Sequence, residues 1–377
     1  MATIAFRVDA ATRIGAGHVM RCITLANKLQ QAGYHIIFLC KAHQGNLIPF
    51  IKQQGFKVHT LSAPIDNINK IENEKLWLGC PYRDDANECV QVLTNYQPID
   101  LLIVDHYSLD HQWQTLLKKC CKKIMVIDDL ANRKHHCELL LDQTLARTKQ
   151  NYQSLVPTHC QLMLGEQYML LRDEFAQIRK KAQQKRIVNN FENNSRNHLL
   201  LSMGGSDPDN ITKKIATYLI AFKSEYPPLQ LTIIVSTLYP FFTQLQALVK
   251  QHHWITIIKN PKSMAKLMLE ADIAIGSSGA TAWERCCLGL PTITIISAAN
   301  QQAIATNLEQ AGAVINLGNH QQINQEKLTF ALKKLCDNTN YYLNMVKQSF
   351  ACCDGLGAKR VSAKVTFILQ NNHESND

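Results

Sequence analysis

At 377 residues, 46% of them hydrophobic and 19% charged, the chain exceeds one ordinary core at roughly 150 residues per domain and is too apolar for a disordered polymer, so two globular domains are expected. A formal net charge of +10 suits an anionic partner. The sequence has no recognisable nucleic-acid motif, no basic stripe interleaved with aromatics, and no apolar run near the ~18 residues of a membrane span, which sets nucleic acid and a membrane-spanning role aside.

Candidate strands lie at 4–8, 35–40, 57–60, 101–105, 123–128 and 139–142. Between the first two, Val19, Cys22, Ile23, Ala26 and Leu29 recur at helical spacing, and Gly33 stands where a C-terminal cap belongs. Repetition of such βαβ units predicts a mostly parallel sheet covered on both faces. From about 166 to 197 the chain turns polar. The basic run 179–186 reads as a solvated linker helix, and the Asn-rich stretch 189–194 as a surface loop. A second α/β set follows, with strands at 198–203, 229–236, 254–258, 271–275, 292–296 and 313–317, and the tail 370–377 reads as frayed. The expected fold is therefore α/β, two Rossmann-like domains facing across a cleft. The expected divisions are an N-terminal domain 1–165, a linker 166–197, a C-terminal domain 198–350, and a helix with tail over 351–377. The thirteen cysteines, odd in number and without a C-x-x-C, read as reduced, buried thiols. With an N-terminus that enters a strand-like run at once, they point to the cytoplasm.

Three segments carry chemistry. In Ile14-Gly15-Ala16-Gly17-His18, glycines at a strand-to-helix turn let backbone approach a ligand, and a histidine opens the helix. A dinucleotide fingerprint is the competing reading, but its third glycine is missing, with Met20 two positions after His18. Ser202-Met203-Gly204-Gly205-Ser206-Asp207 forms a second such turn. Its Asp207-Pro208-Asp209 matches the D-x-D metal pair of one glycosyltransferase class, yet sits where Asp and Pro start a helix, so no metal is expected. In Gly276-Ser277-Ser278-Gly279, small residues at a helix start leave room for a diphosphate. Glu284, one turn inside that helix, can accept from ribose hydroxyls.

These segments belong to a longer ordered set: 6–9 leading into 14–22, Val104-Asp105-His106-Tyr107, 127–133, 140–143, 204–207, Trp283-Glu284-Arg285 and Asn300-Gln301. Together, from residue 6 to about 360, they resemble the UDP-sugar hydrolases of pseudaminic acid biosynthesis, relatives of the peptidoglycan-precursor N-acetylglucosaminyltransferase with its GT-B architecture. The resemblance implies UDP-2,4-diacetamido-2,4,6-trideoxy-β-L-altropyranose as substrate, with UDP and free sugar as products, no cofactor, and His18 as the catalytic residue. Val235-Ser236 stands where relatives often carry a glycine.

UDP is then expected on the C-terminal domain. Its uracil would lie near Ile258, its ribose on Glu284, and its diphosphate at Ser277, Ser278, Gly279, Gly204, Gly205 and Ser206. Asn300 and Gln301 are expected to contact sugar, and Asp9, Arg13 and Gly17 to contact substrate on the N-terminal side. Asp9, Asp105, His106 and Tyr107 fall at strand ends, where ligands of open α/β sheets bind, although strand-end solvation explains them equally. A monomer is favoured. A glycosyltransferase, a hydrolysing epimerase and a non-catalytic nucleotide-sugar binder are the alternative readings.

Overall fold

Strand pleating decides which side chains enter which layer. The structure, a computed structural model, describes residues 2–63, 73–96, 98–188 and 196–370. The Asn-rich stretch 189–194 and the tail beyond 370 lie outside them. The chain forms two contact units, one over Met1–Leu170 with Leu356–Asp377 and one over Leu171–Gly355.

In the first unit, β1 (Thr3–Val8), β2 (His35–Lys41), β3 (Lys57–Leu61), β4 (Ile99–Asp105), β5 (Cys121–Ile127), β6 (Leu139–Asp142) and β7 (Gln161–Leu164) form a parallel sheet in the order β3-β2-β1-β4-β5-β6-β7. Along β1, Ile4, Phe6 and Val8 enter one core with Val19, Cys22, Ala26 and Leu29 of α1 (Gly17–Gln31). Ala5 enters the opposite core with Trp113 and Leu117 of α4 (His111–Leu117). The apolar stripe counted in the sequence is thus the buried face of α1. Strand β7 escaped the sequence reading because four residues at a sheet edge leave little periodicity to detect.

The second unit holds β8 (His198–Ser202), β9 (Gln230–Val235), β10 (Ile255–Lys259), β11 (Ile273–Ser277), β12 (Thr292–Ile296) and β13 (Val314–Asn319), all parallel, in the order β10-β9-β8-β11-β12-β13. In both sheets the first strand lies between the second and the fourth. This is the topological switch point at whose carboxyl edge open α/β sheets bind ligands. Among the described residues no helix is long and apolar enough to cross a membrane. The thirteen cysteines are free thiols, each buried or partly buried.

Two segments differ from the sequence reading. The stretch read as linker contains α5 (Asp173–Gln183), which packs on α8 (Met264–Glu270) and α9 (Ala280–Cys287) within the second unit. Lys180 and Lys181 of the basic run are exposed as expected, but its two arginines are turned onto the protein. Arg179 donates to the carbonyls of Cys287 and Cys353 at 2.6 Å and of Phe350 at 2.9 Å. Fully buried Arg186 donates to those of Met268, Ala271 and Leu288 at 2.6, 2.9 and 2.9 Å. Cations here satisfy the orphan carbonyls at the ends of α8, α9 and α12 (Thr339–Cys352), where the helix dipole also favours positive charge.

The last helix, α13 (Gly357–Gln370), belongs to the first unit, where Val361 and Val365 join the α1 core. Its start is set by close backbone approach, since a Cβ at Gly357 would stand 2.3 Å from the Met169 carbonyl oxygen. Gly357→Ala should therefore cost about 1–3 kcal/mol of stability. A urea titration checks this through a lowered unfolding midpoint, and an unchanged midpoint would show that the helix start can shift freely.

Candidate functional site

The first switch point is built by the turn between β1 and α1 together with the end of β4. Gly15 has φ +80° and donates its N–H to the Ala11 carbonyl at 2.8 Å, a left-handed turn that an L side chain would strain. Ala16 caps α1 without any side-chain bond. Two residues later His18, 9% exposed, turns back onto the sheet and brings Nδ1 to 2.6 Å from Asp105 Oδ1. Arg21, one turn further along the same helix face, grips the same carboxylate with Nε on Oδ2 at 2.6 Å and Nη2 on Oδ1 at 2.7 Å. Its Nη1 reaches both oxygens of Asp129 at 2.9 and 2.7 Å. The Tyr107 hydroxyl donates to Asp129 Oδ2 at 2.9 Å, and its ring meets the imidazole edge-on with centroids 4.6 Å apart. Burial alone would raise the Asp105 carboxyl, but Arg21 and then His18 override it and hold Asp105 below the usual carboxylate range.

Asp9 and His106, at the ends of the same strands, are placed deeper. Asp9 accepts from Arg7 Nη1 and from the Lys41 N–H, both at 2.7 Å, while Arg7 also binds Asp85 at 2.6 Å. The Nε2 atoms of His43 and His106 each stand 3.4 Å from Asp9 Oδ2, all of it shielded from solvent. Asp9 is thus the centre of a buried charge network. Arg13 and Gly17 are exposed in the β1 to α1 segment.

In the second unit, Gly204 has φ +98°, and a Cβ added there would lie 3.6 Å from Ser277 Oγ, while the space beside Gly205 is open. A Cβ on Gly279 would meet Gln301 Nε2 at 4.0 Å, and Gln301 Oε1 accepts from the Ser297 N–H at 3.1 Å. Gly204, Gly205, Ser277, Gly279 and Gln301 therefore gather at the carboxyl ends of β8, β11 and β12. Ser206 is half-buried in the β8 turn and Asn300 exposed beside Gln301, whereas Ile258 lies on β10, two strands from β8. Ser278 is fully buried, its hydroxyl bonded to Thr294 Oγ1. The Ser236 hydroxyl donates to the Gly205 carbonyl and ties β9 to the glycine turn, which gives this serine a structural task.

Two of the helix starts at this edge differ. Asp207 caps α6 (Ile211–Phe222), accepting from the N–H groups of Ile211 and Thr212 at 2.9 and 2.7 Å. That occupies the carboxylate noted for a metal-type motif. Gly279, at the N-cap of α9, supplies no side chain, which leaves a dipole end fit for an anion. Glu284 accepts from Arg172 at 3.0 Å through Oε1, while its buried Oε2 has no hydrogen-bond partner. Burial raises the Glu284 carboxyl above the ordinary range, and Arg172 pulls it the other way. Next to it, Arg285 turns inward and donates to the Ser277 carbonyl at 2.7 Å, bracing the end of β11.

The sequence reading did not assign roles to Arg21, Asp129 or Arg172. Arg21 carried a signal, since its spacing of three from His18 puts both on one helix face. The other two are joined to their partners by chain separations of 108 and 112 residues, and only the fold reveals them.

Carboxylates held low stabilise the folded state above their ordinary pKa of ~4, and that stabilisation is lost as pH falls toward their native values. Asp9 and Asp105 are both of this kind. The melting temperature should therefore fall progressively as the pH drops below about 4, the ordinary carboxylate pKa, and Asp105→Ala should flatten that slope. Equal slopes in calorimetric melts of the two proteins would contradict the assignment.

Comparison with known proteins agrees with this architecture. Residues 199–363 match the family model described as Glycosyltransferase family 28 C-terminal domain. The UDP-2,4-diacetamido-2,4,6-trideoxy-beta-L-altropyranose hydrolase of Campylobacter jejuni is 28% identical over 82% of this chain and 97% of its own length. An uncharacterised protein of Methanocaldococcus jannaschii is 25% identical over 78% of this chain, which spans only 55% of that protein. The crystal structure of MurG from Acinetobacter baumannii superposes with a TM-score of 0.66 at 13% identity, covering 97% of this chain and 99% of that one. The resemblance read from the ordered motifs thus holds along most of the chain, and the fold is of the GT-B type, built on two parallel α/β sheets.

Proposed function

We propose that the chain is a UDP-sugar hydrolase that cleaves a UDP-linked diacetamido-trideoxy hexose at its anomeric C–O bond, giving UDP and free sugar for pseudaminic acid synthesis in the cytoplasm. The observation that carries the reading is the imidazole of His18, bonded through Nδ1 to a buried carboxylate at a switch point. The C. jejuni relative, named for this hydrolysis and matched over 97% of its length, supports the substrate class.

The second unit supplies what a nucleoside diphosphate needs. The uncapped start of α9 and the open turn at Gly204 and Gly205 suit the diphosphate. Glu284, with one buried oxygen unpaired, suits a ribose hydroxyl. Helix dipoles and backbone N–H groups stabilise charge on the departing UDP, so the step runs without a metal. In the first unit His18 accepts a proton from water as the water oxygen bonds to the anomeric carbon. The C–O bond to UDP breaks with its electron pair on the β-phosphate oxygen, and attack opposite UDP inverts the centre.

His18→Asn keeps a polar, helix-compatible side chain but cannot take a proton at neutral pH. Turnover should fall ~10²–10⁴-fold while UDP affinity stays near wild type. Glu284→Ala should show the reverse pattern, with UDP binding weakened by about 1.5–3 kcal/mol in calorimetry. Turnover by His18→Asn above about a tenth of wild type would remove His18 as the base, because loss of a base costs at least ~10²-fold.

A further inference from the structure

From the geometry around His18, and resting on the reading of His18 as the base, we propose that Asp105 is a positioning residue that fixes which imidazole nitrogen carries the proton, and that Arg21, backed by Asp129 and Tyr107, keeps Asp105 in that task. The argument begins with the acceptor. Asp105 is completely buried, and four donors converge on its two oxygens: Arg21 Nε on Oδ2 at 2.6 Å, Arg21 Nη2 on Oδ1 at 2.7 Å, His18 Nδ1 on Oδ1 at 2.6 Å, and the weaker Cys22 thiol on Oδ2 at 3.4 Å. A carboxylate gripped on both edges by a guanidinium is ionised and can only accept. The short contact to His18 is therefore a hydrogen bond that Nδ1–H donates. In the neutral imidazole this leaves the lone pair on Nε2, and among the described residues every polar side-chain contact of His18 is made at Nδ1. Nε2 is thus the nitrogen left to receive a proton from water.

Arg21 is the second half of the device. Its Nη2 lies 3.2 Å from His18 Nδ1. With Asp105 in place both groups donate to the same oxygen. Without Asp105 the nearest donor to Nδ1 is that guanidinium, which would bond the Nδ1 lone pair and move the imidazole proton to Nε2, blocking the base. Asp129 limits the motion of Arg21 by binding Nη1 through both oxygens, and the Tyr107 hydroxyl bonds Asp129 while its ring fixes the imidazole edge-on. The imidazolium formed during the reaction is stabilised by the Asp105 charge, and its Nδ1 proton stays on the ring, because Arg21 opposes protonation of the carboxylate.

The test pairs ¹⁵N NMR of histidine-labelled protein with steady-state kinetics. In the wild type the His18 signal should report Nδ1–H with Nε2 unprotonated. Asp105→Ala should convert it to Nε2–H and lower kcat at least about 10²-fold with KM little changed, as expected for loss of a base rather than of a binding contact. Arg21→Lys keeps a charge but loses the two-pronged grip and should fall between the two. A wild-type spectrum showing Nε2–H overturns the proposal without any variant, so poor folding of Asp105→Ala leaves it testable. So does an Asp105→Ala enzyme that keeps more than about a tenth of wild-type kcat. An inactive His18→Asn beside an active Asp105→Ala removes the positioning role alone, whereas an active His18→Asn removes the base itself.

Discussion

A buried carboxylate must be matched by charge and hydrogen bonds or it is expelled, and in the first unit that carboxylate is Asp105. It sits at the last position of β4, completely buried, between a cation and an imidazole from the first turns of α1. Removing one partner from such a cluster leaves an uncompensated charge and costs about 3–5 kcal/mol. The position of His18 is thereby tied to the stability of the unit. The pairing of β1 with β4 sets the distance, since it places the end of β4 beside the helix that β1 launches. A strand order without this switch would separate His18 from Asp105.

The second unit meets the same topology with the opposite electrostatics. Its helix starts face the carboxyl edge of the sheet as dipole ends. The start of α6 is closed by Asp207, and that of α9 is left without a side-chain cap at Gly279. Around the open one stand small residues, a carboxylate with an unpaired oxygen, and an inward arginine that braces the strand end. The first unit thus concentrates a compensated negative charge beside an imidazole, while the second presents partial positive charge at an uncapped helix start. Hydrolysis of a nucleotide sugar requires both, one to activate water and one to stabilise the leaving group.

Much of this was legible before any coordinates. Parallel strands buried on both faces appear as short apolar runs, and α1 as a stripe at helical spacing. Gly15 and Gly204 stand where a positive φ is needed, and Glu284 and His18 stand beside glycine turns. What stayed hidden depends on distance along the chain. Asp9 looked like a strand-end ligand because nothing local shows that Arg7, Lys41, His43 and His106 converge on it. Arg179 and Arg186 of the basic run looked solvated because their partners are main-chain carbonyls, which carry no sequence signature. Ser278, read as a small residue that leaves room for a diphosphate, also bonds Thr294 through its hydroxyl, a pairing that no local pattern shows. Composition and periodicity report which residues are buried, and pairing between distant charges has to be read from the fold.

The account stands on water attacking the anomeric carbon. Hydrolysis of the UDP-sugar in H₂¹⁸O, with the products weighed by mass spectrometry, tests this directly. One ¹⁸O in the free sugar and none in UDP is the result expected of C–O cleavage with water as nucleophile. Label in the β-phosphate of UDP would mean that water attacks phosphorus, and a base at His18 directed to the anomeric carbon would then have no place in the reaction.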